Sequence, residues 1–271
     1  GLYSLSVNFN LHGDMVPSTV SVVYTPDGTE VARVVTCTMP HGSRVDPSGT
    51  RQYSTCMMDD QLVEIDARKF VVARRFSVAK GKEGPIAVAE DPHAGHAMPA
   101  AAAAKPVVDP AEVGYPEGMR HQMSPATCSP TWAQPSADGR KIFVACNKAD
   151  EILEIDRDSW ALTRRLPTGR GVYNLAVTPD GKLLVATLKQ GGMFQAFDLA
   201  SGKSVFQTKT STTLAHGVAV SPDSRYAFVS SEGVGSAPGK VDVFDLRTFT
   251  RAGTVDVGQQ ASGIAFWKMS K

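Results

Sequence analysis

The sequence lacks the features that would place it in a membrane or on nucleic acid. Its 271 residues contain no run close to the roughly 18 consecutive apolar residues of a membrane-spanning helix. The 28 lysines and arginines balance 27 aspartates and glutamates, so there is no basic excess to attract nucleic acid or an anionic lipid surface. With 42% hydrophobic residues, the composition is that of an ordinary globular domain. We therefore expect no nucleic-acid partner and no membrane span.

Familiar catalytic and cofactor motifs are also missing. The chain has no Gly-x-Ser-x-Gly nucleophile elbow, no phosphate-binding loop and no His-Glu-x-x-His zinc motif. The Cys-x-x-Cys spacing of structural zinc sites and the Cys-x-x-Cys-His haem motif are absent too. No catalytic residue is therefore predicted from a motif.

The first residues do not have the pattern of a secretory leader. "GLYSLSVNFN" alternates apolar and polar residues like a strand, without a charged start and a continuous apolar run. Since the cysteines discussed below indicate export, we expect the leader to lie outside this sequence.

A repeat becomes visible when the chain is aligned with itself. Each copy has a short apolar run, a turn rich in Pro, Asp, Ser and Gly, a second run, a polar gap and a third run ending in Asp. A further stretch after the Asp completes four short strands, here called A to D. The closing aspartates are 90, 42 and 47 residues apart, and the 90 includes an insertion. This spacing is typical of the blades of a β-propeller. The four copies cover residues 41–66, 131–156, 173–198 and 216–245.

The two ends of the chain predict one more blade. "ASGIAFWKMSK" matches strand A alone, and the N-terminal stretch through "STVSVVYTPDGTEVARVV" matches strands B, C and D. We therefore predict a single all-β domain over residues 1–271, a β-propeller of four-stranded blades. Five blades are countable, and pairing of the N- and C-terminal strands closes the ring. Closure would remove both exposed sheet edges.

The segments "HGVAVSPDSRYAFVSS", "VDVFDLRT" and "YNLAVTPDGKLLVAT" indicate a family as well as a fold. They resemble the YVTN family of β-propellers, which occurs in surface-layer and exported bacterial proteins. The resemblance covers most of the chain outside residues 78–127. It implies a propeller fold, and it implies little about activity.

An insertion at about residues 78–127 predicts a long loop between strand D of one blade and strand A of the next. It contains three of the six histidines and three of the nine methionines, within "DPHAGHAMP" and "GMRHQM". The same low-complexity composition is also typical of a solvated insertion that binds nothing. The candidate metal ligands of the insertion are His93, His96, Met98, Met119, His121 and Met123.

Blade geometry predicts that the start of strand A and the end of strand B lie at one rim, here called the mouth rim. His41 and His216 begin strand A in matching His-Gly pairs, and the insertion leads to the same rim. Imidazole binds copper, zinc and nickel, whereas thioether favours copper(I). We therefore expect copper as the cofactor, with zinc as the alternative, bound by His41, His216 and the insertion. The competing interpretation is that each histidine only hydrogen-bonds backbone around the central channel.

The four cysteines repeat in the register of the blades. Cys56 and Cys146 are 90 residues apart, and they follow Cys37 and Cys128 by 19 and 18 residues. Neighbouring strands lie about 5 Å apart, and a disulfide needs Cα atoms within about 7 Å. We therefore predict the pairs Cys37–Cys56 and Cys128–Cys146 and a periplasmic or secreted protein. The alternative is four reduced cysteines packed as small apolar side chains.

These observations lead to one preferred function and two alternatives. The preferred function is an exported copper or zinc chaperone or resistance protein that exchanges metal with a periplasmic partner through its His/Met-rich loop. The first alternative is a non-catalytic protein-interaction scaffold. The second is a propeller enzyme of the lyase, lactonase or redox-metal class, with His41, His216 and Tyr173 as acid–base candidates at the channel mouth.

Two sets of charged residues are predicted to have no special role. Asp59 and Asp60 follow a strand B, and we expect them to be a solvated acidic pair. Two arginine pairs at matching places of two blades are expected to be surface charge on strand D: Arg74–Arg75 and Arg164–Arg165.

Overall fold

The computed structural model describes residues 3–8, 17–87 and 125–266, and every regular element within them is a β-strand. The strands form five antiparallel sheets. In this part of the chain no helix could cross a membrane. The predicted all-β class is confirmed.

The first sheet has the three strands predicted from the N-terminal stretch, and the second has one strand more than the predicted four. The first contains β1 (Tyr3–Val7), β2 (Pro17–Tyr24) and β3 (Thr29–Thr38). The second contains β4 (Pro40–Val45), β5 (Arg51–Cys56), β6 (Gln61–Asp66), β7 (Val71–Ser77) and β8 (Gly84–Ile86). Because β8 pairs with β7, the predicted insertion begins with a short fifth strand.

The other three sheets have four strands in blade order, as predicted. The third contains β9 (Pro130–Pro135), β10 (Lys141–Cys146), β11 (Glu151–Asp156) and β12 (Ala161–Pro167). The fourth contains β13 (Val172–Val177), β14 (Leu183–Leu188), β15 (Met193–Asp198) and β16 (Ser204–Lys209). The fifth contains β17 (Leu214–Val220), β18 (Tyr226–Glu232), β19 (Gly239–Asp245) and β20 (Thr250–Val257).

Side-chain hydrogen bonds explain the recurring turn residues. Between β13 and β14, the Thr178 hydroxyl donates to Asp180 at 2.6 Å, and Gly181 takes a φ of 70° that glycine adopts without strain. The Asp that closes each strand C accepts backbone N–H groups of the next turn, as Asp198 does from Ser201 at 2.7 Å. Side-chain hydrogen bonds therefore stabilise the turns that recur in each repeat.

Neighbouring sheets pack face to face through apolar clusters. Tyr53 and Phe76 of the second sheet share one cluster with Ile142 and Trp160 of the third. Each fully buried side chain of this size stabilises the fold by roughly 1.5–3 kcal/mol. The first strands of four sheets, β4, β9, β13 and β17, contact one another in that order. The sheets therefore follow one another as propeller-like blades around an axis lined by these inner strands.

Closure of the ring by the chain ends is not detected in the part that the structure describes. Residues 261–266 form no strand there, and β1 pairs only with β2. The Ser230 hydroxyl donates to the Ser262 carbonyl at 2.6 Å, so this segment lies beside β18. Strand β20 is exposed along its whole length, including Val255 at 58%. The predicted strand-to-strand closure therefore stays a prediction.

The strand D arginines are not simple surface charge. Arg74 forms an ion pair of 2.5 Å with Glu64, which is 2% exposed, and donates to the Arg157 carbonyl of the next blade at 2.9 Å. Arg164 pairs with the buried Glu154 and also reaches the following blade. The expectation of surface charge is wrong for both, because a buried carboxylate needs a charged partner.

Candidate functional site

A β-bulge at the start of the inner strands places three candidate side chains at the mouth rim. The pairing register of β4, β13 and β17 shifts at the point where His41, Tyr173 and His216 lie. A bulge leaves its extra residue unpaired and redirects the side chain. Three residues from three blades are therefore brought together at one rim.

His41 is held by hydrogen bonds on both ring nitrogens. Its Nδ1 lies 2.6 Å from the carbonyl oxygen of Thr131, and its Nε2 lies 3.1 Å from the Tyr173 hydroxyl. A carbonyl oxygen can only accept, so Nδ1 carries the proton and Nε2 accepts from Tyr173. The next blade therefore selects the tautomer of His41 and the orientation of its ring.

Tyr173 lies between the two histidines. Its ring centroid is 5.4 Å from that of His41 and 4.6 Å from that of His216, both in edge-on arrangements. The ammonium group of Lys189 lies 4.7 Å from the Tyr173 ring centroid, within the range of a cation–π contact.

Lys189 and Glu232 complete the site from the ends of two B strands. Lys189 Nζ lies 2.8 Å from Glu232 Oε1, which is 3.7 Å from Nε2 of His216. The predicted meeting of strand A starts and strand B ends at one rim is thus seen in side-chain contacts. We call these five residues the mouth cluster: His41, Tyr173, Lys189, His216 and Glu232.

The environment of the cluster favours neutral imidazoles. Burial lowers the pKa of His41, with Lys189 acting in the same direction and the Thr131 carbonyl opposing it. Burial lowers the pKa of His216 to about 4; Lys189 lowers it further, and Glu232 raises it. Burial raises the pKa of the Tyr173 hydroxyl, so the phenol keeps its proton at neutral pH. A neutral imidazole is the form that binds a metal or accepts a proton.

The glycines of the two His-Gly pairs have a packing reason. A Cβ atom on Gly42 would lie 1.9 Å from a Trp132 ring atom, and one on Gly217 would lie 2.6 Å from the Ser262 carbonyl oxygen. Only glycine fits where the neighbouring inner segment approaches this closely. The pair therefore combines a redirected histidine with a close inter-blade contact.

Both predicted disulfides are present. Cys37–Cys56 and Cys128–Cys146 have Cα separations of 5.8 and 4.4 Å. No cysteine is free in the part described here, where all four cysteines lie. Thiolates are therefore not available as metal ligands in this oxidised form.

Asp60 anchors the chain where it leaves the insertion. Its carboxylate accepts from the backbone N–H groups of Thr127 at 2.5 Å, Cys128 at 3.2 Å and Ser129 at 2.7 Å. Asp60 is 5% exposed, so the expectation of a solvated pair is wrong for this residue. The backbone N–H of Lys80 donates to the Thr127 hydroxyl at 2.9 Å. The segments before and after the insertion therefore meet at the mouth rim.

The predicted metal ligands divide into two groups. His41 and His216 belong to the mouth cluster. Within residues 3–8, 17–87 and 125–266, no group of three His, Cys, Asp or Glu side chains could hold a metal ion. The mouth cluster brings together two imidazoles, the Tyr173 phenol and the Glu232 carboxylate, which is paired with Lys189. The other candidates lie outside the described residues: His93, His96, Met98, Met119, His121 and Met123.

Sequence reasoning missed Lys189 and Glu232. Both stand at the end of a strand B, Lys189 directly after β14 and Glu232 as the last residue of β18. That shared position was the available signal, because strand B ends share the mouth rim with strand A starts. Their contact with the histidines depends on which blades are neighbours.

Comparison with known proteins supports the fold and not an activity. No protein-family model and no curated protein matches the chain. A hydrazine synthase structure from Kuenenia stuttgartiensis aligns with a TM-score of 0.60 at 15% identity, covering 81% of this chain and 49% of that chain. A chain of a mitotic checkpoint complex structure aligns with a TM-score of 0.63 at 12% identity, covering 91% of this chain and 60% of that one. This chain thus spans about half to three-fifths of those chains, and such low identity shows a shared fold alone.

Proposed function

We propose that this protein is an exported metal-binding propeller that handles copper, or alternatively zinc, with His41 and His216 as nitrogen ligands. The supporting observation is the convergence of two neutral imidazoles at one rim, with Nδ1 of His41 held by the Thr131 carbonyl at 2.6 Å. Metal-binding histidines almost always donate their second ring N–H to such a partner. Nε2 of His41 is then available for a metal once the Tyr173 hydroxyl turns away.

The insertion supplies further ligands in this proposal. The described residues on either side of it support this, because the Lys80 N–H donates to Thr127 and the Thr127 N–H donates to Asp60 at the mouth rim. Its histidines and thioethers complete the coordination shell, and stepwise ligand exchange passes the ion to a periplasmic partner protein. Copper is preferred over zinc because thioether binds copper(I) and the four thiols are in disulfides.

Two disulfides support an oxidising compartment, the periplasm or the exterior.

We also propose a YVTN-type ring that closes by pairing of β1 with the C-terminal segment. Thr187 donates to the His216 carbonyl of the next blade at 2.7 Å, and Ser230 donates to the Ser262 carbonyl at 2.6 Å. The Ser262 carbonyl thus accepts the same hydrogen bond as the His216 carbonyl of strand A in the preceding blade. Hydrogen exchange tests closure: the β1 amides that face away from β2 will be protected in a closed ring and exchange rapidly in an open one.

Copper titration of three proteins tests the metal site. We expect the wild type to bind copper stoichiometrically and His41→Ala/His216→Ala to lose more than about 100-fold in affinity, since outer partners alone contribute 10- to 100-fold. A variant with residues 88–124 replaced by a short Gly-Ser linker will bind more weakly than the wild type. Gln190→Ala is the control, because Gln190 follows Lys189 and offers no metal-binding imidazole.

Each outcome has a definite meaning. Unchanged copper affinity in the double variant would remove the mouth cluster from the proposal. Unchanged affinity after the loop replacement would remove the insertion. Elemental analysis of protein purified from its native compartment identifies the metal, and a preparation without copper or zinc would contradict the proposal.

An acid–base enzyme is the second candidate. The observation that favours it is the Tyr173–His41 hydrogen bond of 3.1 Å between two groups whose pKa values burial displaces. A lyase or lactonase can use a neutral imidazole as general base and a protonated phenol as general acid. Metal-stripped protein should then turn over a lactone panel, and Tyr173→Phe should abolish that turnover. No turnover by the stripped wild type would exclude a metal-independent lactonase.

A further inference from the structure

Arg44 is a partly buried cation without a carboxylate partner in the described part of the chain. It lies on β4, three residues after His41. Its guanidinium carbon is 4.5 Å from the centroid of the Trp132 ring, and its side chain donates one hydrogen bond of 3.1 Å, to the Ser43 carbonyl. Burial alone lowers the pKa of Arg44, with no neighbouring charge opposing it. A guanidinium has five N–H donors, so most of them have no partner among the described residues.

Four other strand arginines differ from Arg44. Each of the four has a carboxylate within ion-pair distance, because an uncompensated buried charge is costly. Arg44 has the packing of a structural arginine, stacked on an aromatic ring, and lacks the counter-ion. The paired arginines include Arg51 with Glu64, Arg74 with Glu64, Arg164 with Glu154 and Arg251 with Asp242.

The inner strands offer no negative charge at the level of Arg44. Alignment of the strand A segments places Gln134 of β9 and three alanines at this level. The nearest acidic member of the mouth cluster, Glu232, is already neutralised by Lys189 at 2.8 Å. With both imidazoles neutral, Arg44 is an uncompensated positive charge on an inner strand. The alanines at this level are Ala176, Ala219 and Ala265.

We propose that the axis below the mouth cluster binds a small anion, a carboxylate or an inorganic oxyanion, with Arg44 as its charged donor. Arginine suits this role because its planar fork forms paired hydrogen bonds with carboxylate and oxyanion groups. Trp132 holds the guanidinium plane through a cation–π contact. The site uses different residues from the metal proposal and does not depend on it.

Anion titration of metal-stripped protein tests the site. The probes are acetate, malonate, nitrate and sulfate, each added at constant ionic strength and followed by calorimetry and by tryptophan fluorescence. We expect saturable binding of at least one probe, and the strongest of the four distinguishes a carboxylate site from an inorganic oxyanion site. Arg44→Met should weaken that binding at least tenfold, and Arg44→Lys should recover part of it.

Two controls separate a binding role from a structural one. Arg68→Met removes the same charge from an exposed turn and should leave binding within twofold. Arg44→Met should keep or raise the Tm. Arg164→Met leaves the buried Glu154 without its ion-pair partner and should lower the Tm. Absence of saturable binding by the wild type would overturn the proposal. Equal binding by Arg44→Met, or a loss of Tm as large as that of Arg164→Met, would overturn it too.

Discussion

The hydroxyl of Tyr173 donates a hydrogen bond of 3.1 Å to Nε2 of His41, a residue 132 positions earlier in the chain. Thr131 accepts from the other side of the same ring at 2.6 Å. Three blades thus determine the position of one imidazole. This arrangement connects the architecture to the chemistry of the mouth, and the predictions below start from it.

Tyr173→Phe should remove the hydrogen bond that positions His41 and leave the apolar core intact. Loss of one part-buried hydrogen bond should lower the free energy of unfolding by about 1 kcal/mol. The measurement is urea denaturation followed by circular dichroism. Tyr3→Phe, at a ring that is 43% exposed, is the matched control and should change little. Equal effects of the two substitutions would mean that the Tyr173 hydroxyl contributes nothing specific.

The Lys189–Glu232 pair should act on metal affinity with opposite signs. Lys189→Met removes a cation beside both histidines and should raise copper affinity about three- to tenfold, whereas Glu232→Gln should lower it by a similar factor. Lys203→Met, on an exposed turn, should have no effect. If the mouth bound an anion instead, Lys189→Met would weaken binding and Glu232→Gln would strengthen it. A lower copper affinity in Lys189→Met would therefore contradict a cation site.

Stability of the metal-free protein should fall between about pH 6.5 and pH 4. The pKa of His216 is about 4 in the folded chain against an ordinary 6.5. In this pH window, the unfolded chain therefore binds a proton at His216 that the folded chain does not bind. Folding therefore loses up to about 3 kcal/mol as the pH drops. Urea midpoints of wild type and His216→Gln at pH 7 and pH 4.5 measure this. A loss of the same size in both proteins would assign the pH dependence to other groups.

Each disulfide should contribute about 3 kcal/mol, since they close loops of 19 and 18 residues. Cys37→Ser/Cys56→Ser and Cys128→Ser/Cys146→Ser should therefore have similar costs in urea denaturation. Reduced wild type should show about the sum. A much smaller cost for the second pair would indicate that Asp60 already holds residues 127–129 without the covalent bond.

Asp60→Asn should destabilise the protein more than Asp59→Asn. Asp60 accepts from three backbone N–H groups at the end of the insertion, whereas Asp59 accepts from the backbone N–H of Thr38 at 2.7 Å. With 1.5–3 kcal/mol typical for a hydrogen bond to a charged group, we expect a difference of about 2 kcal/mol. Thermal denaturation measures it, and equal Tm values would contradict the anchoring role.

Local sequence patterns predicted what depends on neighbours along the chain. Turn residues and alternating apolar runs predicted the strands, and each closing Asp accepts from the turn that follows it, as Asp198 does. The cysteine register predicted both disulfides, because strands A and B of one blade are adjacent for reasons of connectivity. Such contacts lie within one repeat, so a self-alignment is enough to find them.

Contacts between blades were harder to predict. Arg74 and Arg164 occupy positions typical of solvent-exposed charge, yet each neutralises a buried glutamate and contacts the following blade. Asp60 resembles a solvated residue until residues 127–129 close over it. No periodicity within a repeat records which groups of the next blade will face a side chain.

The sequence by itself determined the all-β repeat, the two disulfides and the placement of His41 and His216 at equivalent blade positions. Only the tertiary structure decided that Tyr173 lies between them, that Lys189 and Glu232 join them, and that Arg44 stacks on Trp132 without a counter-ion. The reason is physical: hydrogen bonding and apolar periodicity act between near neighbours in the chain. The charge and proton state of a mouth side chain depend instead on groups that meet only when separate blades pack around one axis.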